Sequence, residues 1–481
     1  MKSLRQLMMA ALAAVAAAAL TATPSFAIGI LGPSDEQARA LGDQEHPKIV
    51  AAFGGEMTDP ALKAYVEGIT KKLMAVWPKP NEAVQVTLLD SPVINAMALP
   101  GHVYVTRGLL SLANSEAELA GVIGHELGHI YKRHTAKRIK RGNLATIGAV
   151  LVGVATKNQG LMQQAGQAAQ LYLLQFSRKQ EYESDLVGVR LLAASGYDPV
   201  AQAEFLDALD LYSNFEMQLS GQQRPPEFLS THPNTADRVK KAAAEAKLAA
   251  GSGVTAAESR TPYFARIDRL LYGDDPRTQG FIRGNEFIHP ALKIAFSVPS
   301  GFKLQNSSQA VVASSQNAQM QFAAANSADT PTAIIQGPLA QQLGLQFTNV
   351  RGFTSSGRQG ATGYGRAQAQ GGQALDVQPF VIKWAGNTNY LFLWVSAQSA
   401  TQGLQSSIEQ SVASLRDIDP AMVNVPPTQT IEVVTVGSGD TLSSLANRTS
   451  FADYKLERFC VLNHMRACNS VTVGAKVKLV R

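Results

Sequence analysis

Cysteine is almost missing from this chain: 481 residues hold two, Cys460 and Cys468, both near the C-terminus. Their separation of eight leaves two readings open, a disulfide in an oxidising compartment or a pair of free buried thiols. Charge is sparse as well, at 17% of residues, and nearly balanced, with a formal net charge of +6. No concentrated basic tract stands out, so nucleic acid is not an expected partner; only a weak attraction to an anionic envelope polymer remains. Long apolar runs are equally scarce. One, residues 7–20, follows the basic Lys2 and Arg5 and precedes Ser25-Phe26-Ala27. Basic, apolar, then small-x-small is the order of a signal peptide, predicted over residues 1–27 of an exported, periplasmic protein. An uncleaved anchor is the alternative, although the run is short for a span of ~20 residues. No cysteine follows the cut, so no lipid anchor is expected. Loss of Lys2 and Arg5 lowers the charge from +6 to +4. The second run, Leu144 to Ala155, falls short of a ~30 Å bilayer core at about 1.5 Å per residue. It predicts a buried or interfacial helix and at most peripheral membrane contact.

What is present is more telling. His125-Glu126-Leu127-Gly128-His129 sets two imidazoles at i and i+4 on one helix face, where both reach a single Zn²⁺. The glutamate beside the first histidine is then placed to take a proton from the attacking water. Ser115-x-x-Glu118 reads as the capping box that starts this helix. At roughly 100° per residue, Leu119, Val122, Ile123, Leu127 and Ile130 form one apolar stripe, with the two histidines about 120° away from it. Gly121, Gly124 and Gly128 fall on a third side. Each helix glycine costs up to about 1 kcal/mol relative to Ala, so three on one side predict a second backbone packed closely there. His134 points to the apolar side and reads as a non-ligand.

A third protein ligand is needed. Phe176 to Asp185 opens a helical pattern in which Glu181 and Asp185 share a face while Glu183 points away. Glu181 is assigned to the zinc, and Asp185 to the free N–H of a liganding histidine, whose tautomer it fixes. Upstream, residues 47–76 read as helical, and Val84-x-Val86-x-Leu88 and His102–Thr106 alternate as strands. Asn95-Ala96-Met97-Ala98-Leu99-Pro100-Gly101 lies between them and ends in a Pro-Gly turn. The strand preceding the HExxH helix is expected to wall the cleft and to accept an extended peptide through main-chain hydrogen bonds; an ordinary sheet edge is the other reading.

The set His125-Glu126-x-x-His129 and Glu181-x-x-x-Asp185, with Ser177-Arg178 upstream, resembles the HtpX/CAAX-endopeptidase family of zinc metallopeptidases. Asn95-Ala-x-Ala98-x-Pro100-Gly101 and Ser230-Thr231-His232-Pro233-x-Thr235-x-x-Arg238 extend the match across residues 35–245, nearest to the soluble periplasmic members of BepA type. His102 departs from it, standing where such proteins often carry Gly. The resemblance implies a mostly α, gluzincin-type fold with one zinc per chain held by two His and one Glu. It also implies a substrate edge at Asn95, Ala98, Pro100 and Gly101. For His232 it implies a fourth-position latch that holds the enzyme off; an oxyanion donor and a structural turn before Pro233 are the alternatives.

Beyond residue 242 the composition turns Ala/Gly/Ser-rich, then polar and poorly charged over about 280–418. Strands are expected at Ile294–Val298, Ala333–Gln336, Phe380–Lys383 and Tyr390–Ser396, and a helix at Ser407–Leu415. His289 has no metal partner nearby and reads as a packing histidine. Pro420, Pro426 and Pro427 mark a stiff linker. The opening Val436-x-x-Gly439-Asp440-Thr441-Leu442 and the closing Val473-Gly474-x-Lys476-Val477-x-Leu479 resemble a LysM domain, which implies binding of peptidoglycan glycans. The expected class is multidomain. A signal peptide (1–27) precedes a mostly α zinc metallopeptidase domain with a small β-sheet edge (28–250) and a linker (251–283). A small α+β domain (284–419), a Pro-rich linker (420–430) and a βααβ LysM-like domain (431–481) follow. The expected function is zinc-dependent cleavage of misfolded or stalled envelope and outer-membrane polypeptides beside the cell wall. Two alternatives stand: a latched chaperone or assembly adaptor, and a peptidoglycan hydrolase.

Overall fold

The computed structural model describes residues 34–79, 82–135, 137, 176–220, 232, 236–249, 256–307, 310–369 and 373–481. The expected signal peptide, the apolar run 144–155 and most of the motif at 230–235 lie outside them. Described residues up to Asp274 and from Thr428 onward form one compact unit, and Asp275–Pro427 form another.

The first unit opens with helix α1 (Asp35–Ala52), started by a capping box between Ser34 and Gln37. Helix α2 (Pro60–Met74) starts at Asp59, whose carboxylate accepts from the Leu62 N–H. The single helical run expected over 47–76 is therefore two helices. Gly54 and Gly55, at φ +88° and +99°, end the first, and Asp59-Pro60 begins the second. Strands β1 (Gln85–Leu89), β2 (Ala96–Leu99) and β3 (His102–Thr106) form a sheet in the order β1-β3-β2. β3 pairs parallel with β1 and antiparallel with β2, across a Pro100-Gly101 turn in which Gly101 takes φ +84°. This corrects the substrate-edge expectation. β3 is the middle strand, hydrogen-bonded on both sides, so any open edge beside the HExxH helix belongs to β2.

Helix α3 (Arg107–Leu112) leads into the HExxH helix α4 (Glu116–Tyr131). The Ser115 hydroxyl caps Glu118 N–H as expected, but the Glu118 carboxylate accepts from Asn114 N–H rather than closing the box on Ser115. Residues 117–130 are all buried, and the predicted stripe Leu119, Val122, Ile123, Leu127 and Ile130 lies in the main apolar core. Helix α5 (Arg178–Ala194) crosses the glycine side of α4. A Cβ on Gly124 would stand 3.2 Å from Gly188 Cα, and one on Gly128 would stand 2.8 Å from Ser184 Cα and carbonyl oxygen. Helix α6 (Val200–Ser220) takes the same side at Gly121, where a Cβ would meet Gln202 Cα at 3.1 Å. The close backbone approach inferred from three glycines is therefore present.

Helices α7 (Ala236–Ala249) and α8 (Ala256–Ile267) complete the helical part. α8 corrects the expected linker 251–283: Tyr263, Phe264 and Ile267 are fully buried in the main core, and Tyr263 donates to the Leu110 carbonyl. The C-terminal residues of the unit are β15 (Ile431–Thr435), α10 (Leu442–Asn447), α11 (Lys455–Leu462) and β16 (Lys476–Val480), with the strands antiparallel and Cys460–Cys468 joined as a disulfide. The βααβ order is as expected. Its attachment is not that of a tethered domain, because Ile431, Phe451, Leu462 and Val480 belong to the same core as the HExxH helix.

In the other unit, β4 (Phe281–Arg283), β5 (Glu286–His289), β6 (Ile294–Ser297) and β14 (Arg416–Asp417) make a four-stranded sheet ordered β14-β6-β5-β4. A seven-stranded antiparallel sheet runs β10-β11-β12-β13-β9-β8-β7. Its strands are β7 (Lys303–Asn306), β8 (Val311–Ser314), β9 (Ala318–Asn326), β10 (Thr348–Ser355), β11 (Arg358–Gln368), β12 (Ala374–Ala385) and β13 (Thr388–Ala397), and helix α9 (Gln398–Ala413) packs on it. The α+β expectation fits this unit, with one correction. Ala333–Gln336 is helical, not a strand, because the Thr330 hydroxyl caps Ala333 N–H and Pro331 takes the first helical position. His289 Nδ1 accepts from Leu292 N–H, the packing role expected of it.

Candidate metal centre

Ser177 caps α5 in a reciprocal box with Gln180, which sets the phase that turns Glu181 and Asp185 toward α4. Interhelix contact at Gly124 and Gly128 then brings these carboxyl groups within reach of the imidazoles. His125 Nε2 lies 3.5 Å from Glu181 Oε2, and His129 Nε2 lies 3.5 Å from Glu181 Oε1 and 3.1 Å from His125 Nε2. His232 joins them, its Nδ1 3.3 Å from His125 Nε2 and 3.2 Å from Glu181 Oε1. One donor atom from each of His125, His129, Glu181 and His232 lies within 4.8 Å of the others, and all four residues are buried.

Three imidazoles and one carboxylate suit a borderline-soft divalent cation. Buried donors crowded this closely with so few N–H groups to share also match the place such an ion takes. Glu126 sits at the edge of the group, His232 Nε2 at 3.7 Å from Oε1. Both its carboxylate oxygens are buried without a hydrogen-bond partner among the described residues. Burial pushes its carboxyl pKa up, against the pull of His232 and His125. The residues present therefore fit the group.

Around the donors is a polar frame. Asp185 Oδ1 meets His125 Nδ1 at 2.8 Å, the contact expected of it. Arg238 Nε and Nη2 each donate to Asp185 at 2.8 Å, and Nη1 stands 2.6 Å from Glu181 Oε2. Burial opposes ionisation of Asp185, yet Arg238 and His125 outweigh it and hold the carboxyl well below its ordinary range. Glu181 is likewise held low by His232 and Arg238 despite burial. Gln202 Nε2 adds a 3.1 Å contact to Asp185.

The sequence pattern gives Arg238 no role beyond its place in the matched motif. It also leaves His134 outside the site. His134 donates no atom to the cluster, but its Nδ1 lies 3.0 Å from His129 Nδ1 and its Nε2 3.0 Å from Glu183 Oε2. Glu183, expected to point away, is therefore linked to His129 through that imidazole.

The expected substrate edge divides. Pro100 and Gly101 line a cavity of about 500 Å³ that also reaches His129, Ile130 and Arg133. Asn95 does not line it: it is buried, and its main-chain N–H and carbonyl both bond the Thr106 hydroxyl, tying β2 to β3. The Ala98 carbonyl accepts from Thr135 Oγ1 at 3.4 Å. His102, the departure from the family pattern, stacks on His46 and meets Asp43 at 2.7 Å, away from the donors.

Residues 60–246 match the model of Peptidase family M48, and residues 434–480 match the LysM domain. The beta-barrel assembly-enhancing protease of Yersinia pestis is 28% identical over 219 residues, 44% of this chain and 44% of that protein. Its counterpart in Escherichia coli K12 is 27% identical over 196 residues, 39% of each chain. The mitochondrial metalloendopeptidase OMA1 of Arabidopsis thaliana is 37% identical over 160 residues, 32% of this chain and 30% of that one. The chain thus spans less than half the length of these curated relatives. Its residues 60–246 are a domain of peptidase family M48, and its residues 434–480 are a LysM domain.

Proposed function

We propose that this protein is a zinc-dependent endopeptidase that cleaves unfolded envelope polypeptides in the periplasm, held near peptidoglycan by its LysM domain. The observation that carries the reading is the convergence of His125, His129, Glu181 and His232 beside Glu126, whose carboxylate has no hydrogen-bond partner among the described residues. His125, His129 and Glu181 would hold the ion. When bound, a divalent cation polarises the scissile carbonyl and makes a water molecule more acidic. Glu126 takes the proton from the attacking water and returns it to the leaving amine; its raised pKa suits both transfers. Asp185 keeps His125 in the tautomer that leaves Nε2 facing the ion, and Arg238 keeps Asp185 ionised. The outer edge of β2, which pairs with no further strand among the described residues and lies next to the cavity at Pro100 and Gly101, supports an extended main chain as substrate.

The resemblance to beta-barrel assembly-enhancing proteases supports an envelope substrate, and the N-terminal pattern of residues 1–27 supports export. The deciding experiment compares casein cleavage and zinc content in the full chain and in Glu126→Gln. The variant is expected to retain zinc and lose at least about 10²-fold in turnover, the contribution usual for a positioned acid–base group. Ordinary turnover by the variant, or a wild type without stoichiometric metal, removes the assignment. A latched adaptor is the second reading, favoured by His232 Nδ1 lying as near Glu181 and His125 as a fourth donor would.

A further inference from the structure

Lys478 is a buried lysine for which the proposed reaction has no use. It lies on β16, fully enclosed, and its Nζ is 2.5 Å, 2.8 Å and 3.0 Å from the carbonyl oxygens of Ser111, Leu112 and Ala113. Those carbonyls belong to the last turn and C-cap of α3, and only Asn114 separates them from Ser115, the cap of the HExxH helix. Helix-end carbonyls have no partner within their own helix, and an ammonium carries three donors for three acceptors. Asn463 fixes the lysine from within its own module: its Oδ1 accepts from Lys478 N–H at 2.7 Å, and its Nδ2 donates to the Lys478 carbonyl at 2.9 Å.

A second contact meets the same junction. His464 Nε2 is 3.0 Å from the Leu112 carbonyl, and its Nδ1 is 3.6 Å from Glu118 Oε1. Glu118 also accepts from Asn114 N–H at 2.7 Å. Burial raises its carboxyl pKa, but His464, the Asn114 N–H and Lys478 outweigh burial and hold it below its ordinary value. Burial pulls the Lys478 ammonium well down, with Glu118 opposing. A module that merely tethers the chain to a wall needs no enclosed ammonium, which is costly without such partners.

We propose that the LysM module is a working part of the cleavage site: Lys478, seconded by His464, is a positioning residue that holds the α3–α4 junction and thereby sets the helix bearing His125, Glu126 and His129. Glu118 and His125 are seven residues apart, two turns or about 10 Å along one face of a continuous helix. A shift at the capped end is therefore carried to the donors, because no glycine hinge is left unpacked between them: Gly121 and Gly124 are pinned on Gln202 and Gly188. The kinetic part of this proposal rests on the endopeptidase reading; the structural part does not.

The test uses the full chain with Lys478→Met, which keeps length and removes the charge, beside Arg466→Ala. Arg466 joins the module to Asp207 and Asp210 on α6 at an exposed rim. Amide hydrogen exchange and casein kinetics are read together. Lys478→Met is expected to lose about tenfold in protection over residues 114–121 while residues 178–194 keep theirs, and to lose about tenfold in kcat at unchanged KM. Arg466→Ala should match wild type in both. Unchanged protection at 114–121, or a loss spread evenly over the whole unit, overturns the proposal. If Lys478→Met fails to fold, His464→Ala carries the test: the same local pattern supports the proposal, and wild-type behaviour overturns it. If the wild type cleaves nothing, the endopeptidase reading fails, while exchange at 114–121 still decides the positioning role.

Discussion

Arg238 shows how much one side chain can settle once its neighbours are known. It is 1% exposed and faces two buried carboxylates, Asp185 and Glu181, from the start of a helix more than fifty residues downstream. Removing one partner of such a buried set costs roughly 3–5 kcal/mol, because the remaining charges lose their counter-ion. Arg238→Met is therefore expected to lower unfolding free energy by about that amount in a urea titration, and to release metal more readily on dialysis. His232 is the other residue whose role depends on distance. Its imidazole reaches the donors as closely as they reach each other, which favours the latch over a turn-former. His232→Ala is expected to raise casein cleavage severalfold with metal content retained; a sharp fall in kcat would make it an oxyanion donor instead. The zinc-ligand candidates were legible because i, i+4 spacing alone stacks two imidazoles on one face. Arg238 and His134 were not, since nothing in their local pattern says which charge or ring lies opposite.

Among elements, the pairing of α4 with α5 decides the geometry. Ser115 and Ser177 cap them, and Gly124 against Gly188 and Gly128 against Ser184 let the backbones approach. A Cβ at Gly128 would sit 2.8 Å from Ser184 main-chain atoms, so the helices must part to admit it. Overpacking of this kind costs about 1–3 kcal/mol. Gly128→Ala should lower the melting temperature and, by withdrawing Glu181, weaken metal retention more than stability; equal retention would argue against α4–α5 contact as the positioning device. The close packing was legible in the sequence because three glycines on one helix side are unfavourable without a reason. Strand order was not. Alternation marked β3 as a strand but carried no information about neighbours, and only pairing shows that β1 and β2 flank it.

At the scale of the molecule, the C-terminal module changes its meaning. Its sequence marks it as a separate βααβ unit behind a proline-rich stretch, yet Ile431, Phe451, Leu462 and Val480 pack in the core that holds Leu119 and Ile123. Main-chain bonds reinforce this: Arg269 N–H reaches the Ile431 carbonyl at 2.7 Å, and Ile431 N–H reaches the Leu270 carbonyl at 2.8 Å. Truncation after Pro427 should therefore expose apolar surface and strand the Ser111–Ala113 carbonyls. The shortened protein is expected to melt well below the full chain and to be digested faster by trypsin within 107–131. A shortened protein as stable as the full chain would restore the module to a simple tether.

Local order sufficed for what depends on near neighbours: the Ser115 cap, the two-histidine face, the Glu181–Asp185 phase and the βααβ succession were readable, because helix and strand periods fix which side chains share a face. Contacts between distant segments obey no period. The Arg238 bridge, the middle position of β3, the helical nature of 256–267 and the seat of Lys478 were each decided by which surfaces met when the core closed, and that is set by complementary shape and buried charge across the whole unit.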